Sequence, residues 1–132
     1  VVTHDGVVAD DYYKRGLAIN QVLARDAEAR ERGYRARVDF DVLRGDVRVT
    51  MTGAPWHGAL RLHVLHPGRP QLDLSVLLPP FGEGRAVFQA TLELSGTGLR
   101  HIVLEDAARS WRLAGELRMR PGAMPAVELM PR

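Results

Sequence analysis

The spacing of apolar residues changes once along the chain, at Gly33. Before Gly33, residues that can form one face recur at steps of three and four, which is the repeat of an α-helix. They are Tyr12, Gly16, Ile19, Leu23 and Ala27. Asp10 or Asp11 can cap the start of such a helix, and a glycine commonly follows its end. We predict a helix from about residue 11 to residue 32, with Asp26–Arg30 and Glu28–Arg32 spaced as surface ion pairs.

After Gly33, apolar and polar residues alternate in seven short segments that are separated by turn residues. Alternation with a period of two is typical of a strand with one buried face. Two antiparallel sheets packed face to face bury all seven apolar faces, whereas a single open sheet leaves its apolar face in water. The pattern therefore predicts a mainly β protein, a seven-stranded antiparallel immunoglobulin-like β-sandwich preceded by one N-terminal α-helix. The segments are residues 37–42, 47–51, 60–65, 72–78, 88–94, 101–105 and 111–118.

These patterns divide the chain into three parts. Residues 1–33 hold the amphipathic helix, and residues 34–119 form the β-sandwich domain. Residues 120–132 contain Pro121, Gly122, Pro125 and Pro131. This composition predicts a flexible, proline-rich tail.

Length and composition fit a single folded domain, with 132 residues of which 45% are hydrophobic and 26% charged. The formal net charge of +2 comes from basic and acidic residues that are interspersed, which does not favour nucleic-acid binding. The absence of cysteine excludes disulfides, thiolate metal sites and a cysteine nucleophile. No apolar run approaches the roughly 20 residues of a membrane span. Because the chain begins at Val1 without methionine, we expect it to be part of a longer protein.

The sequence contains no arrangement that is typical of an active site. The serines lack the context of a nucleophile elbow. Asp39 and Asp41 share the polar face of a predicted strand, and the glycine pair around Thr97 lacks the lysine of a phosphate loop. We therefore expect a protein that is not an enzyme.

A weak candidate metal site consists of His57, Met51 and His63. Met51 and His57 flank one loop, His63 lies on the neighbouring predicted strand, and imidazole and thioether ligands suit copper. Surface histidines and a core methionine explain the same residues, because no tight cluster of these types occurs. Trp56, beside a proline loop, is a candidate anchor for a partner, whereas Trp111 alternates with Leu113 and is expected in the core.

Residues 10–21, DDYYKRGLAINQ, resemble the segment that follows the membrane span in the FixH/CcoH family. That segment typically has an acidic residue, two tyrosines, a basic pair and then G-L-A-I-N. Two looser matches are a strand that ends in His66-Pro67 with Asp73 beyond it, and a final Trp111-x-Leu113-x-Gly115. The resemblance covers about residues 8–118. The chain departs from the family at residues 98–101, where a glycine is often followed by tryptophan.

The resemblance implies a bacterial inner-membrane protein with one N-terminal span and a domain that faces the periplasm. Residues 1–33 are then membrane-proximal. Such a protein assists the assembly or maturation of a cbb-type haem–copper cytochrome c oxidase by binding its subunits, without being an enzyme and without a cofactor. The family's genes travel with a copper-exporting ATPase and an iron–sulfur protein, which connects it with copper homeostasis and nitrogen fixation. The alternative is a periplasmic copper carrier or sensor that uses the His/Met ligands.

The N-terminal helix is the predicted binding surface. Its tyrosines suit the level of lipid headgroups, its glycine allows close approach of another backbone, and its asparagine fits a specifying contact. The helix can lie on its own sheets, stand as a stalk, or pair with a helix of the oxidase or of a second copy. The predicted contact residues are Asp11, Tyr12, Tyr13, Gly16, Leu17, Asn20 and Trp56.

Overall fold

The computed structural model describes residues 2–56, 58–79, 87–94, 96–122 and 124–131, with side chains from Lys14 onward. These ranges contain one long helix, α1 (Val2–Glu31), a 3₁₀ turn at Pro70–Leu72, and eight strands. The strands are β1 (Arg35–Asp41), β2 (Asp46–Thr52), β3 (Leu60–Leu65), β4 (Leu74–Leu78), β5 (Val87–Thr91), β6 (Gly98–Asp106), β7 (Arg112–Met119) and β8 (Ala126–Leu129).

The strands form two antiparallel sheets of four strands each. The strand order is β5-β2-β1-β8 in the first sheet and β4-β3-β6-β7 in the second. Within β1, Ala36, Val38 and Phe40 are buried while the residues between them reach solvent. The other apolar faces also meet in one shared core. The β-sandwich predicted from the alternation is confirmed, but it has eight strands where seven were expected.

The additional strand, β8, lies in the segment that was predicted to be a flexible tail. Val127 pairs with Val38 and Leu129 with Ala36 on β1, and Leu129 is fully buried. A bridge between Ala114 and Met130 joins this segment to β7 of the second sheet. The prediction of a flexible tail is therefore wrong. Four residues flanked by prolines carry too little alternation to predict a strand, and pairing with β1 decides the structure here.

Gly115 of the predicted Trp-x-Leu-x-Gly motif leaves the space that β8 occupies. A Cβ at this position would lie 2.8 Å from Cδ2 of Leu129 and 2.9 Å from the carbonyl oxygen of Glu128. The glycine therefore permits the close approach of β7 and β8.

Gly33 ends α1 as the sequence predicts. Its φ is +68°, its N–H donates to the carbonyl of Arg30 at 3.1 Å, and the N–H of Tyr34 donates to the carbonyl of Ala29 at 2.9 Å. This pair of bonds is a Schellman motif, in which a left-handed residue satisfies the last helical carbonyls. Ala29 and Tyr34 are both buried, so the end of the helix is fixed to the core. The helix begins at Val2, earlier than predicted, so Asp10 and Asp11 lie within it and do not cap its start.

Three aromatic residues pack where the helix end meets the sandwich. Trp111 is fully buried, with its ring centroid 4.8 Å from that of Tyr34 and 5.6 Å from that of Trp56, which stands edge-on to it. The core position predicted for Trp111 is confirmed.

Candidate functional site

The exposed half of α1 is the main feature of the surface. Every side chain from Lys14 to Ala24 is exposed. The apolar residues among them keep large exposed fractions, 44% for Leu17, 60% for Ile19 and 58% for Leu23. Tertiary packing usually provides most of the stability of a helix in a protein. Residues 14–24 of α1 therefore do not pack on the sheets of their own chain, which leaves a stalk or an intermolecular contact for this part of the helix.

The last two turns of α1 attach the helix to the second sheet. Asp26 is 3% exposed and accepts hydrogen bonds from Nη1 of Arg112 on β7 at 3.2 and 3.3 Å. The preceding residue, Arg25, donates to the carboxylate of Glu105 on β6. Two adjacent helical residues thus form ion pairs with two adjacent strands. These pairs define the rotation of the helix about its axis as well as its position.

Glu105 is at the centre of this junction. Its side chain is 8% exposed, and its carboxylate lies 3.3 Å from Nε2 of His63 and 3.7 Å from Nε of Arg109, in addition to the bond from Arg25. Nδ1 of His63 in turn lies 2.7 Å from Oγ of Ser75. Burial opposes ionisation, but the hydrogen bonds from Arg25 and His63 outweigh it and hold the pKa of Glu105 below its ordinary value.

The next residue, Asp106, builds the turn between β6 and β7. Its fully buried carboxylate accepts from the N–H groups of Ser110 at 2.7 Å and Trp111 at 3.1 Å, and from Oγ of Ser110 at 2.5 Å. The turn holds Arg109 in a left-handed conformation, with φ of 58°. The side chain of Arg109 is 70% exposed and lies beside Glu105.

The predicted contact residues of α1 fall into two groups, those whose side chains the structure describes and those whose side chains it does not. Gly16, Leu17 and Asn20 lie on the exposed helix. The side chains of Asp11, Tyr12 and Tyr13 lie outside the described residues, although their backbone belongs to α1.

Trp56 does not stand free as an anchor. It is half-buried and its ring contacts Trp111, so it completes the margin of the core. Its indole N–H has no acceptor among the described residues.

The candidate copper ligands are not brought together within the described residues. Met51 is 5% exposed and faces the core from the first sheet, whereas His63 lies on the outer face of the second sheet. His57 lies outside the described residues. Among the side chains that are described, no group of three histidine or acidic residues is placed to hold a metal ion.

The His-Pro and aspartate pair predicted from the sequence closes the connection between β3 and β4. Oδ1 of Asp73 accepts from the backbone N–H of His66 at 2.7 Å, and the N–H of Arg69 donates to the carbonyl of His66 at 3.1 Å. This pair therefore shapes the connection between two strands.

Replacing Glu105 with glutamine is expected to lower the free energy of unfolding at pH 7 by about 2 kcal/mol, because an ionised and mostly buried acceptor is lost. The folded-state pKa of Glu105 is depressed. The ionised group therefore stabilises the fold above its unfolded pKa of about 4.3, and this contribution disappears as the pH falls through the folded pKa. Urea denaturation of both proteins between pH 7 and pH 3 checks this. The two curves should converge on acidification, and a constant difference would contradict the assignment.

The fold and this surface define the class of protein, a small β-sandwich domain that presents an exposed helix attached by ion pairs and a buried helix end. The family model described as FixH matches residues 1–118, and the chain belongs to the FixH family. No curated protein and no solved structure matches the chain. Among the residues that the structure describes, no helix has the length and apolar character needed to cross a membrane.

Proposed function

We propose that this chain is the periplasmic part of a membrane-anchored, non-enzymatic factor that assists the assembly or maturation of a cbb-type cytochrome c oxidase by protein–protein contact. Membership of the FixH family, an accessory family that is generally non-catalytic, supports the connection with the oxidase. The observation that carries the contact mechanism is the exposed apolar surface of α1 between Lys14 and Ala24.

The geometry of α1 suits binding to another protein. Residues 14–24 extend for about 16 Å at the rise of an α-helix. Burying a leucine or isoleucine against a partner contributes roughly 1.5–3 kcal/mol. Because the Schellman end and the junction ion pairs already hold α1 on the sandwich, little ordering entropy is lost when a partner binds. The proposed partner is a subunit of the oxidase, with a second copy of the chain as the competing occupant.

The strand order supports the finer fold class that was predicted, an immunoglobulin-like sandwich. The order β4-β3-β6-β7 corresponds to strands C′, C, F and G of that fold, and β5-β2-β1 corresponds to E, B and A. On this assignment β8 is an addition beside strand A.

The contact function predicts that charges placed on α1 weaken binding to the oxidase. In the full-length tagged protein, Leu17→Glu with Leu23→Glu should reduce the oxidase subunits that co-purify by about tenfold or more, since two apolar contacts are replaced by desolvated carboxylates. Quantitative mass spectrometry of the purified complexes measures this.

The matched control is Val42→Glu with Leu43→Glu. These residues are 41% and 91% exposed in the hairpin between β1 and β2, so the control adds the same charge away from α1. Capture by the control should equal that of the unchanged protein. Equal capture by the helix variant and the unchanged protein would contradict α1 as the contact surface.

The alternative function, a copper carrier or sensor, is distinguished by copper binding. Stoichiometric Cu(I) on the pure protein, lost on His57→Ala or Met51→Ala, would favour the carrier. No binding at micromolar copper would argue against the carrier and favour the contact function. The burial of Met51 and the separation of Met51 from His63 do not favour a shared site.

A further inference from the structure

A groove runs between the exposed part of α1 and the outer face of the second sheet. Two adjoining clefts of about 480 and 450 Å³ form it, and both are lined by Arg25 and Arg109. On the helix side the lining includes Ala18 and Val22, and on the sheet side it includes Val103. We call this surface the basic groove.

Positive charge predominates along the basic groove. Glu105 is the single acidic residue of its described lining, and Asp26 is the acidic partner of one arginine at its margin. When each of these two acidic side chains is assigned to one of the four arginines of the lining, two arginines have no compensating negative charge. Arg61, opposite Glu105 in the pairing of β3 with β6, has no ion pair among the described residues. The arginines of the lining are Arg25, Arg61, Arg109 and Arg112.

Arg109 has a left-handed backbone conformation, which residues with a side chain rarely adopt. A residue with φ of 58° is strained unless it is glycine, or to a lesser extent asparagine. The turn alone therefore does not account for an arginine at this position. Its guanidinium is largely exposed and approaches Glu105 only to 3.7 Å, which leaves most of its donors available to a ligand.

We infer that the basic groove binds an acidic segment of the partner protein, with aliphatic side chains of that segment against Val22 and Val103. This inference rests on the proposed function and specifies it, since the partner is then an oxidase subunit with an acidic periplasmic segment. The mixture of uncompensated arginines with aliphatic lining suits a peptide, because carboxylates pair with guanidinium groups and aliphatic side chains can occupy the apolar part of the two adjoining clefts.

Lipid headgroups match the groove less well than a peptide does. Arg25 lies 11 residues beyond Lys14, which is about 16 Å along the helix axis. An anchor before α1 places the basic groove still farther from the bilayer, beyond the Debye length of about 8 Å at physiological salt.

The test uses the full-length tagged protein with Arg61→Glu and Arg109→Glu together. Capture of oxidase subunits should fall about tenfold or more, and capture by the unchanged protein should fall as salt is raised, because rim charges are screened. The matched control is Arg48→Glu with Arg118→Glu, two exposed arginines outside the groove that give the same change in net charge. The control should capture the oxidase normally.

The outcomes separate this inference from the function on which it rests. If the unchanged protein captures the oxidase and the groove variant captures as much, the inference is overturned and the contact function stands. If the unchanged protein captures no oxidase subunit, the contact function fails and the inference fails with it. If vesicles that contain anionic lipid bind the unchanged protein but not the groove variant, the groove is a lipid site and the inference is overturned.

Arg109→Gly provides a variant whose folding is not at risk. Its thermal unfolding midpoint should equal or exceed that of the unchanged protein, because the strain at φ of 58° is relieved, while capture of the oxidase should fall severalfold. A lower midpoint would show that the arginine is needed for the turn and would overturn the inference. A peptide array that tiles the periplasmic segments of the captured subunits should retain the protein on acidic peptides, and retention on neutral or basic peptides would overturn it.

Discussion

Gly53→Ala is expected to lower the free energy of unfolding by about 3 kcal/mol, one of the two largest effects of a single substitution. A Cβ at this position would lie 2.4 Å from the carbonyl oxygen of Gly33, 2.7 Å from its carbonyl carbon and 3.0 Å from the amide nitrogen of Tyr34. These are backbone atoms that end α1, so they cannot rotate away as a side chain can. The φ of Gly53, +110°, adds strain for any L-residue.

The control for this substitution is Gly68→Ala. Gly68 also has a positive φ, +76°, but a Cβ added there would meet no atom within 4 Å. Gly68→Ala should lower the free energy of unfolding only through the backbone strain of a side chain at positive φ, by about 1 kcal/mol. Urea denaturation followed by tryptophan fluorescence measures both variants. If both lose the same free energy, the contact between Gly53 and Gly33 does not hold the end of α1.

Trp111→Ala is expected to lower the free energy of unfolding by about 3–5 kcal/mol, because the substitution leaves a cavity in the core. The side chain is fully buried and contacts Tyr34, which directly follows the glycine that ends α1. A domain of this kind is stable by only about 5–15 kcal/mol, so the loss is a large fraction of the total. The cavity also lies under the helix end, and α1 should lose its fixed orientation.

Trp56→Ala is the comparison for Trp111→Ala. Trp56 is half-buried and touches the same aromatic cluster from its margin, so its removal should cost about half as much. Circular dichroism during thermal unfolding reports both midpoints. An equal loss for the two tryptophans would contradict the placement of Trp111 as the centre of the cluster.

The spacing of apolar and polar residues along the sequence was enough to predict the helix, its end at Gly33 and the sandwich. Each of these depends on residues that are close along the chain, such as the alternation in β1 or the glycine that follows the last helical turn. The strand β8 was missed because its pairing with β1, over 80 residues away, decides a short segment that has little preference of its own.

The sequence also did not reveal what packs against the apolar stripe of α1, whether its own sheets, a second copy of the chain or a partner protein. A stripe such as that of Ile19 and Leu23 shows only that these residues share a face. In the structure both side chains are exposed, and attachment occurs instead at the two turns that precede Gly33. The stripe therefore predicted a binding surface without identifying its occupant.

The junction of the helix with the second sheet could not be predicted, because its ion pairs join distant residues. Arg25 and Glu105 are 80 positions apart, and Asp26 and Arg112 are 86 apart. In the sequence, Asp26 is spaced to form a surface pair with Arg30, whereas the structure buries Asp26 against Arg112. The pair Glu28–Arg32 is confirmed at 2.6 Å, since both residues lie on one helix face.

The central claim is that the exposed face of α1, held on the sandwich, contacts the oxidase. A photo-crosslinking amino acid in place of Leu23 of the full-length protein tests this most directly, with the same replacement at Leu43 as the control because Leu43 is exposed but distant from α1. We predict light-dependent adducts with an oxidase subunit from position 23 and none from position 43. Adducts from position 43 alone, or from neither position while the oxidase still co-purifies, would contradict the claim.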